Sequence, residues 1–482
     1  MKRRTSLTWL IAIGVVATAA CGQRAGTLPA AAEALNAADT RTIQFSGSGK
    51  WFQFGQAPNP TLPWPAFDVS EYQAAINYET PAARVQLVRK QVVEPGRVRP
   101  APVEQRPDQY VSGTTAWNLA APPGAAPGTA PVPQPQPAAV EERVAEIYST
   151  PHGFLRGAQA NNATVTEAGG GSEVTFSVGA NRFVGTINAQ NQVEKVQTWI
   201  DNTVLGDTLV ETTFSGYRDF GGVQFPARIQ RVQGGYPVLD LTVSSVTANG
   251  AVDIAIPQAA TAAPAAVVAT ADVLAPGVWY IKGGTHHSVA IEQRDHIVVV
   301  EAPLTEERSN AVIAKVKETI PNKPIRYLIN SHAHFDHSGG LRTYVDEGAT
   351  IVTHQMNQAY YEQAWRASHA LNPDRLERSK KTATFETFNA RHTLTDGTRS
   401  IELYPIEGNG HNDAFTMVWL PREGILIEAD AYTPTAADAP PPAMPNPFSV
   451  SLHENIQKLN LPVRQIAALH GPRLVTLADL RT

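Results

Sequence analysis

Hydrophobic and polar residues alternate with a period of two along much of the first half of the chain. The segments 174–178 and 239–243 show the alternation, and glycine, asparagine and proline separate such runs, as at Gly221-Gly222. A period of two is typical of strands with one buried face, and short turns between them indicate antiparallel pairing. The pattern predicts a mostly antiparallel β domain, shaped as a curved sheet or half-barrel.

The second half of the chain mixes two periods. Continuous apolar runs at 296–301 and 325–329 predict buried strands, whereas apolar residues recur at helical spacing between 312 and 320. Further strands are predicted at 350–353, 401–406, 416–420 and 425–429, and helices at 357–367 and 450–459. Together the two halves predict an α+β protein.

Two composition breaks divide the chain. Residues 258–276 are rich in alanine and proline and predict an interdomain linker, which separates a β-rich domain at 24–257 from a second domain at 277–482. Residues 120–139 have low complexity and predict a flexible insertion within the first domain. Only one of the 13 histidines, His152, precedes residue 286, so the candidate chemistry lies in the second domain.

The N-terminus predicts export. Three basic residues precede an apolar run that ends at Ala20, and the run is too short to span a bilayer comfortably. Residues 1–20 therefore read as a signal peptide. Cys21 resembles the lipidated cysteine of bacterial lipoproteins, which implies a periplasmic protein anchored to a membrane through Cys21. Ordinary signal-peptide cleavage, with Cys21 incidental, is the alternative.

The composition and charge of the chain limit the kinds of molecule that it is expected to bind. With 482 residues, 43% hydrophobic and 17% charged, the chain is long and apolar enough for two or three globular domains. The net charge is −5, and no basic block lies beyond the N-terminus. Nucleic-acid binding would require a basic patch or stripe, so we expect a small-molecule substrate and no nucleic-acid partner.

Residues 332–337 read His-Ala-His-Phe-Asp-His, which places four potential metal ligands within six positions. His332 and His334 are two apart, so a turn can direct both imidazoles to one point, while Asp336 and His337 reach a second point nearby. Clustered imidazoles gain little from packing, and a buried carboxylate needs a partner. The segment predicts a metal site. A histidine-rich surface loop is the alternative.

Three more candidate ligands each follow a predicted strand. His411 follows the strand at 401–406, Asp430 closes the strand at 425–429, and His470 follows an apolar run. Rigid sheets commonly present functional groups in the loops at strand ends. Taken singly, His411 could be a turn residue, Asp430 a helix cap and His470 a core histidine, but their joint occurrence favours ligands.

The hexapeptide, followed in order by His411, Asp430 and His470, resembles the metallo-β-lactamase superfamily over roughly residues 272–482. The resemblance implies a C-terminal αββα sandwich. It implies two zinc ions, one held by His332, His334 and His411, the other by Asp336, His337 and His470, with Asp430 bridging them. It also implies a hydrolase in which a hydroxide shared by the metals attacks an ester, thioester, lactone, amide or phosphoester, with Asp336 as the catalytic residue that takes or orients the proton.

Asp430 and the cysteine count select among branches of that superfamily. Cys21 is the only cysteine, which excludes the branches that place a thiolate at the position of Asp430. An aspartate there resembles the glyoxalase II, lactonase and phosphodiesterase-type hydrolases. A single-iron persulfide dioxygenase, a low-level β-lactam hydrolase, and a lipid- or polymer-binding lipoprotein with an accessory metal domain stay open as alternatives.

Two features near the predicted strand at 296–301 bear on the site. Glu301 stands where the family often has an aspartate, and we expect it to orient a ligand. His286-His287 precedes this strand, in a region where the family often places a loop beside the substrate. A role at the substrate or behind a ligand, and an exposed surface position, both remain open for these two histidines.

Overall fold

The computed structural model describes residues 26–122, 125, 128–437 and 444–481. The predicted signal peptide and Cys21 lie outside the described residues. Among the helices that are described, none has the length and hydrophobicity needed to cross a bilayer.

The described helices are α1 Leu28–Ala34, α2 Val140–Tyr148, α3 Pro151–Ala160, α4 Glu306–Thr319, α5 Phe335–Ser338, α6 Leu341–Glu347, α7 Gln355–Ala364, α8 Arg375–Ser379, α9 Pro447–Lys458 and α10 Leu477–Leu480, with short 3₁₀ helices at Pro137–Ala139 and Gln258–Thr261. The strands before residue 250 are β1 Thr42–Phe52, β2 Ala66–Asn77, β3 Ala82–Gln91, β4 Glu104–Gln105, β5 Asp108–Ser112, β6 Thr115–Ala120, β7 Val132–Pro135, β8 Thr164–Ala168, β9 Gly171–Val178, β10 Asn181–Ile187, β11 Val193–Asn202, β12 Gly206–Ser215, β13 Arg218–Asp219, β14 Gln224–Phe225, β15 Arg228–Gln233 and β16 Tyr236–Ala248. The later strands are β17 Thr270–Ala275, β18 Val278–Lys282, β19 Ser288–Glu292, β20 Ile297–Val300, β21 Ile325–Ile329, β22 Thr350–His354, β23 Phe385–Phe388, β24 His392–Thr395, β25 Ser400–Pro405, β26 Thr416–Leu420, β27 Ile425–Glu428 and β28 Gln465–Ala468.

The N-terminal half forms one large antiparallel sheet. Its strands follow the order β7-β6-β5-β3-β2-β1-β16-β15-β12-β11-β10-β9-β8, and β4 pairs with β3. The sheet is open, because β7 and β8 form its two edges, so it is not closed into a barrel. Phe154 and Leu155 of α3 are fully buried in the same apolar cluster as Phe183 and Val196 of the sheet. The predicted mostly antiparallel domain is confirmed.

Part of the segment that composition predicts to be a flexible insertion is paired sheet. Residues 132–135 form β7, which pairs with β6 at the edge of the large sheet. Proline cannot donate a ladder hydrogen bond, and edge strands are where a sheet tolerates it. The predicted linker also ends earlier than expected, since its residues 270–275 form β17.

The C-terminal half contains two sheets packed face to face. One has the order β17-β18-β19-β20-β21-β22-β23, with parallel pairing from β20 onward, and the other has the order β24-β25-β26-β27-β28. Val298 and Val300 share a buried cluster with Ile401 and Leu403 of the second sheet. Helices α4 and α6 cover the outer face of the first sheet, and α9 packs against the second. The predicted αββα sandwich is confirmed.

Candidate metal centre

The hexapeptide occupies the turn that follows β21. His332 and His337 are fully buried, and the short helix α5 begins at Phe335. Asn330 braces the turn from inside, since its amide Nδ2 donates to the His332 carbonyl at 2.8 Å and its Oδ1 accepts from the Tyr361 hydroxyl at 2.7 Å. This buried amide fixes the path of the backbone and therefore the directions of the imidazoles.

The structure brings all seven predicted site residues together in two adjoining groups. The first group is His332, His334, His411 and Asp430, and the second is His286, Asp336, His337 and His470. Within each group, one potential ligand atom from every residue lies within 4.8 Å of the others. His286 is the additional member, which the sequence singled out without assigning it to the metal.

Asp430 lies between the two groups and presents one carboxylate oxygen to each. Its Oδ2 is 2.8 Å from Nε2 of His411 and 3.7 Å from Nε2 of His332. Its Oδ1 is 2.7 Å from Nε2 of His470 and 3.0 Å from Nε2 of His337. A carboxylate placed in this way can bridge two cations, each bound by imidazoles on its own side.

The ring nitrogens are arranged as a donor set for cations. Nε2 of His411 lies 3.2 Å from Nε2 of His332, and Nε2 of His470 lies 3.0 Å from Nε2 of His337. Nδ1 of His334 is buried and has no hydrogen-bond partner among the described residues. Buried polar atoms are normally paired, so an unpaired nitrogen beside facing imidazoles fits the role of a metal ligand.

Burial and neighbouring charges prepare these groups to bind a cation. Burial, together with the adjacent imidazoles, holds the pKa of His332 well below its usual range and lowers the pKa of His334 to about 3. Burial alone would raise the pKa of Asp430, but His337 and His411 hold that pKa well below its usual range. Neutral imidazoles and an ionised carboxylate are the forms in which metals are bound. Despite burial, the neighbouring carboxylates hold the pKa of His337 well above its usual range, so this imidazole must release a proton when it binds a cation.

Glu301 stands behind the second group. It is fully buried, and its Oε2 lies 3.1 Å from Nδ1 of His337 and accepts from the Ser331 hydroxyl at 2.5 Å. A carboxylate on the far nitrogen fixes the tautomer of a ligating histidine and strengthens its lone pair. This contact agrees with the expectation that Glu301 orients a ligand.

A segment of the N-terminal half, residues 53–59, lies against the metal centre. The Ala57 carbonyl is 3.0 Å from Nε2 of His334, and Gln56 donates through Nε2 to Oδ1 of Asp336 at 2.8 Å. The Phe335 backbone N–H donates to the Gly55 carbonyl at 3.1 Å. Sequence reasoning missed these contacts, because a backbone carbonyl and a lone glutamine in a loop carry no distinguishing pattern.

A second contact ties the N-terminal half to the loop that carries His411. Arg97 donates from both terminal nitrogens to the carboxylate of Asp413, at 2.8 and 3.0 Å. Asn59 donates to the same carboxylate at 2.6 Å, and the Asp413 backbone N–H donates to the Pro58 carbonyl at 2.8 Å. The two loops that carry His334 and His411 are therefore held by residues from the N-terminal half.

One family model matches part of the C-terminal half. Residues 281–456 match the sequence model of the family described as the metallo-beta-lactamase superfamily, a span that includes every residue of the two groups except His470. No curated protein matches the chain significantly.

Solved structures that match include three metallo-beta-lactamases. The one from Pontibacter korlensis is 16% identical, covers 44% of this chain and 95% of its own, and gives a TM-score of 0.34. FIM-1 from Pseudomonas aeruginosa, in its mono-zinc form, is 17% identical, with coverages of 45% and 94% and a TM-score of 0.35. The one from Hirschia baltica is 18% identical, with coverages of 44% and 95% and a TM-score of 0.33.

Proposed function

We propose that the metallo-β-lactamase superfamily domain in the C-terminal half of this chain is a dinuclear zinc-dependent hydrolase. The observation that carries the proposal is the position of Asp430, which offers one oxygen to each of two histidine-rich ligand groups. His332, His334 and His411 would hold one ion, and Asp336, His337 and His470 the other.

The bound ions would supply a water nucleophile of lowered pKa and polarise the oxygen of the group under attack. The protein residues supply the geometry. Asp336 is the most exposed carboxylate of the site, with 30% of its side chain accessible. Its Oδ1 accepts from Gln56, whereas its Oδ2 faces His286 and His337. It can therefore hold or pass on the proton released during attack.

The proposed substrate is a small molecule with an ester, thioester, lactone, amide or phosphoester bond. The N-terminal half belongs to the same proposal, because residues 53–59 contact His334 and Asp336 directly. If the N-terminal half only bound a lipid or polymer and the metal domain were accessory, the N-terminal half would not need to place a loop against the metal ligands. Export and anchoring through Cys21 are part of the proposal and rest on the sequence of residues 1–21.

Metal analysis of the purified full chain, combined with a substrate screen, tests the proposal. We expect about two zinc ions per chain after reconstitution, and hydrolysis of at least one of a generic ester, lactone, thioester, phosphodiester and chromogenic β-lactam. Asp430→Ala should lose at least one ion and the activity. Asp240→Ala, which removes a partly exposed carboxylate paired with Arg228 and far in sequence from both groups, is the matched control.

Two results would overturn the proposal. One is a metal content well below one ion per chain after reconstitution. The other is full hydrolytic activity in a variant that combines His332→Ala with His334→Ala, because these substitutions remove two of the three imidazoles from the first group.

A further inference from the structure

His286 lies in the loop between β18 and β19, yet its side chain is only 11% exposed. Its ring centroid is 4.1 Å from that of His470 and 5.5 Å from that of His337. Its Nε2 is 3.4 Å from Oδ2 of Asp336. A ring nitrogen of this imidazole therefore lies within 4.8 Å of a potential ligand atom from each of the other three members of the second group.

The backbone around His286 is clamped to the strand end that carries His470. His286 forms an isolated antiparallel bridge with His470, and the next residue, His287, donates its backbone N–H to the Leu469 carbonyl at 2.8 Å. Nε2 of His287 lies 2.9 Å from the Gly471 carbonyl. On the other side, Arg308 donates to the His286 carbonyl at 3.3 Å. The loop is thus built as a rigid support, which a metal site requires.

The far nitrogen of His286 also has a partner. Nδ1 lies 2.8 Å from the hydroxyl of Thr285. When Nδ1 carries the proton and donates it to Thr285, Nε2 presents its lone pair towards Asp336. A hydrogen bond on one ring nitrogen that directs the lone pair of the other is the usual arrangement behind a ligating histidine.

We propose that Nε2 of His286 is a ligand of the second metal ion, together with Asp336, His337 and His470. The inference rests on the proposed function, because it assumes that a metal ion is bound there. Donors about 2.0–2.2 Å from one zinc ion lie roughly 2.8–3.6 Å apart when the angles between them are between a right angle and a tetrahedral angle. The 3.4 Å separation of His286 and Asp336 and the 3.5 Å separation of His337 and Asp336 fall in that range.

The two metal positions then differ. The second has four protein ligands in addition to the bridging oxygen of Asp430, whereas the first has three imidazoles and the other oxygen of Asp430. A closed set of protein ligands is typical of tightly held ions, and an open position is where water and substrate bind. With one protein ligand more, the second ion is the more tightly held one, and we expect substrate to approach the first.

Metal titration of the full chain tests the inference. Metal-free wild type, His286→Ala and His286→Gln are titrated with Co²⁺ against a chromophoric chelator, and the cobalt absorption bands are recorded. We expect both variants to weaken one of the two binding steps by more than about 100-fold, beyond what loss of an orienting partner causes, and to leave the other step within about threefold. His453→Ala, at a histidine on α9 outside both groups, is the control.

The possible outcomes separate this inference from the proposed function. A wild type that binds fewer than two ions defeats the proposed function. Two ions in the wild type, with unchanged constants and unchanged cobalt bands in both His286 variants, defeat the inference alone and leave His286 as a hydrogen-bond partner of Asp336. If neither variant folds, wild type labelled with ¹⁵N-histidine decides the question, because a ligating His286 shows hyperfine-shifted ring nitrogens when Co²⁺ is bound.

Discussion

Glu301 is energetically unfavourable in two respects. It is a fully buried carboxylate, and its φ of +77° lies in the left-handed region that a side chain rarely adopts. Such strain persists only where surrounding contacts impose it. Here Ser331 and Asn330 donate to the carboxylate, which in turn faces Nδ1 of His337. The strained position places a negative charge directly behind a metal ligand.

Replacing this charge should weaken metal binding without removing the side chain. In Glu301→Gln the amide oxygen can still accept one hydrogen bond, but the charge that supports the His337 imidazole is lost. We expect the affinity of the second metal position to fall by about 10–100-fold, as measured by competition with a chelator. Glu167→Gln, at an exposed residue on β8, should leave both binding steps unchanged. Equal affinities in wild type and Glu301→Gln would show that Glu301 has no such role.

The candidate ligands could be predicted from sequence because few residue types can bind a metal. His332, His411, Asp430 and His470 each belong to that small set and follow a strand. The same reasoning could not find Ala57, because it acts through its backbone carbonyl, which every residue possesses. His286 was noticed as a histidine, but only the fold shows that its loop is bridged to His470.

At the scale of helices and strands, the sequence predicted the type of an element better than its first and last residues. The helices expected at 357–367 and 450–459 are present, but they run over Gln355–Ala364 and Pro447–Lys458. Both begin earlier because of their caps. His354 accepts from the Met356 backbone N–H, and Asn446 caps the second helix with Pro447 in its first turn. Hydrophobic periodicity identifies the buried face of a helix, but it does not identify the capping residues that set where the helix begins.

The loop between β1 and β2 reaches the metal centre through a tight approach at Gly55. This residue has a φ of +74°, and a Cβ added there would lie 2.5 Å from Cγ of Phe335. Phe54 packs edge-on against the same ring, with centroids 5.2 Å apart. Because Phe335 lies between His334 and Asp336, a displaced ring would move the ligands on both sides.

Gly55→Ala should therefore lower the free energy of unfolding by more than backbone strain alone would. Gly221→Ala is a matched control, because Gly221 has a φ of +75° and nothing lies within 4 Å of an added Cβ. We expect the control to lose about 1 kcal/mol from the free energy of unfolding. Gly55→Ala should lose about 1–3 kcal/mol more, since it adds an overpacking clash.

Chemical unfolding measures both variants, and metal titration shows whether the clash reaches the ligands. Metal affinity should fall in Gly55→Ala and stay unchanged in Gly221→Ala. Equal stability losses and equal affinities in the two variants would mean that the approach to Phe335 relaxes without disturbing the site.

At the scale of the molecule, loops that leave the large N-terminal sheet contact the proposed metal centre. Arg97 and Asn59 hold Asp413, and Gln56 and Ala57 hold Asp336 and His334. The two members of each pair are separated by more than 270 positions in sequence. No sequence pattern around either member identifies the residue that it contacts. Sequence could predict the two folds separately because each has its own period, whereas the contact between them depends on individual loop residues.

This contact predicts that removing the metal will loosen both halves. A bound ligand stabilises the conformations that bind it, and His334 and Asp336 lose their cation when a chelator is added. Gln56 and Ala57 bond to these two side chains, so they should lose part of their support as well. We expect faster amide hydrogen exchange in residues 53–59 and 332–337 after chelation, and unchanged exchange in β11, an interior strand of the large sheet. Faster exchange at 332–337 with unchanged protection at 53–59 would show that the N-terminal segment covers the site without being coupled to it.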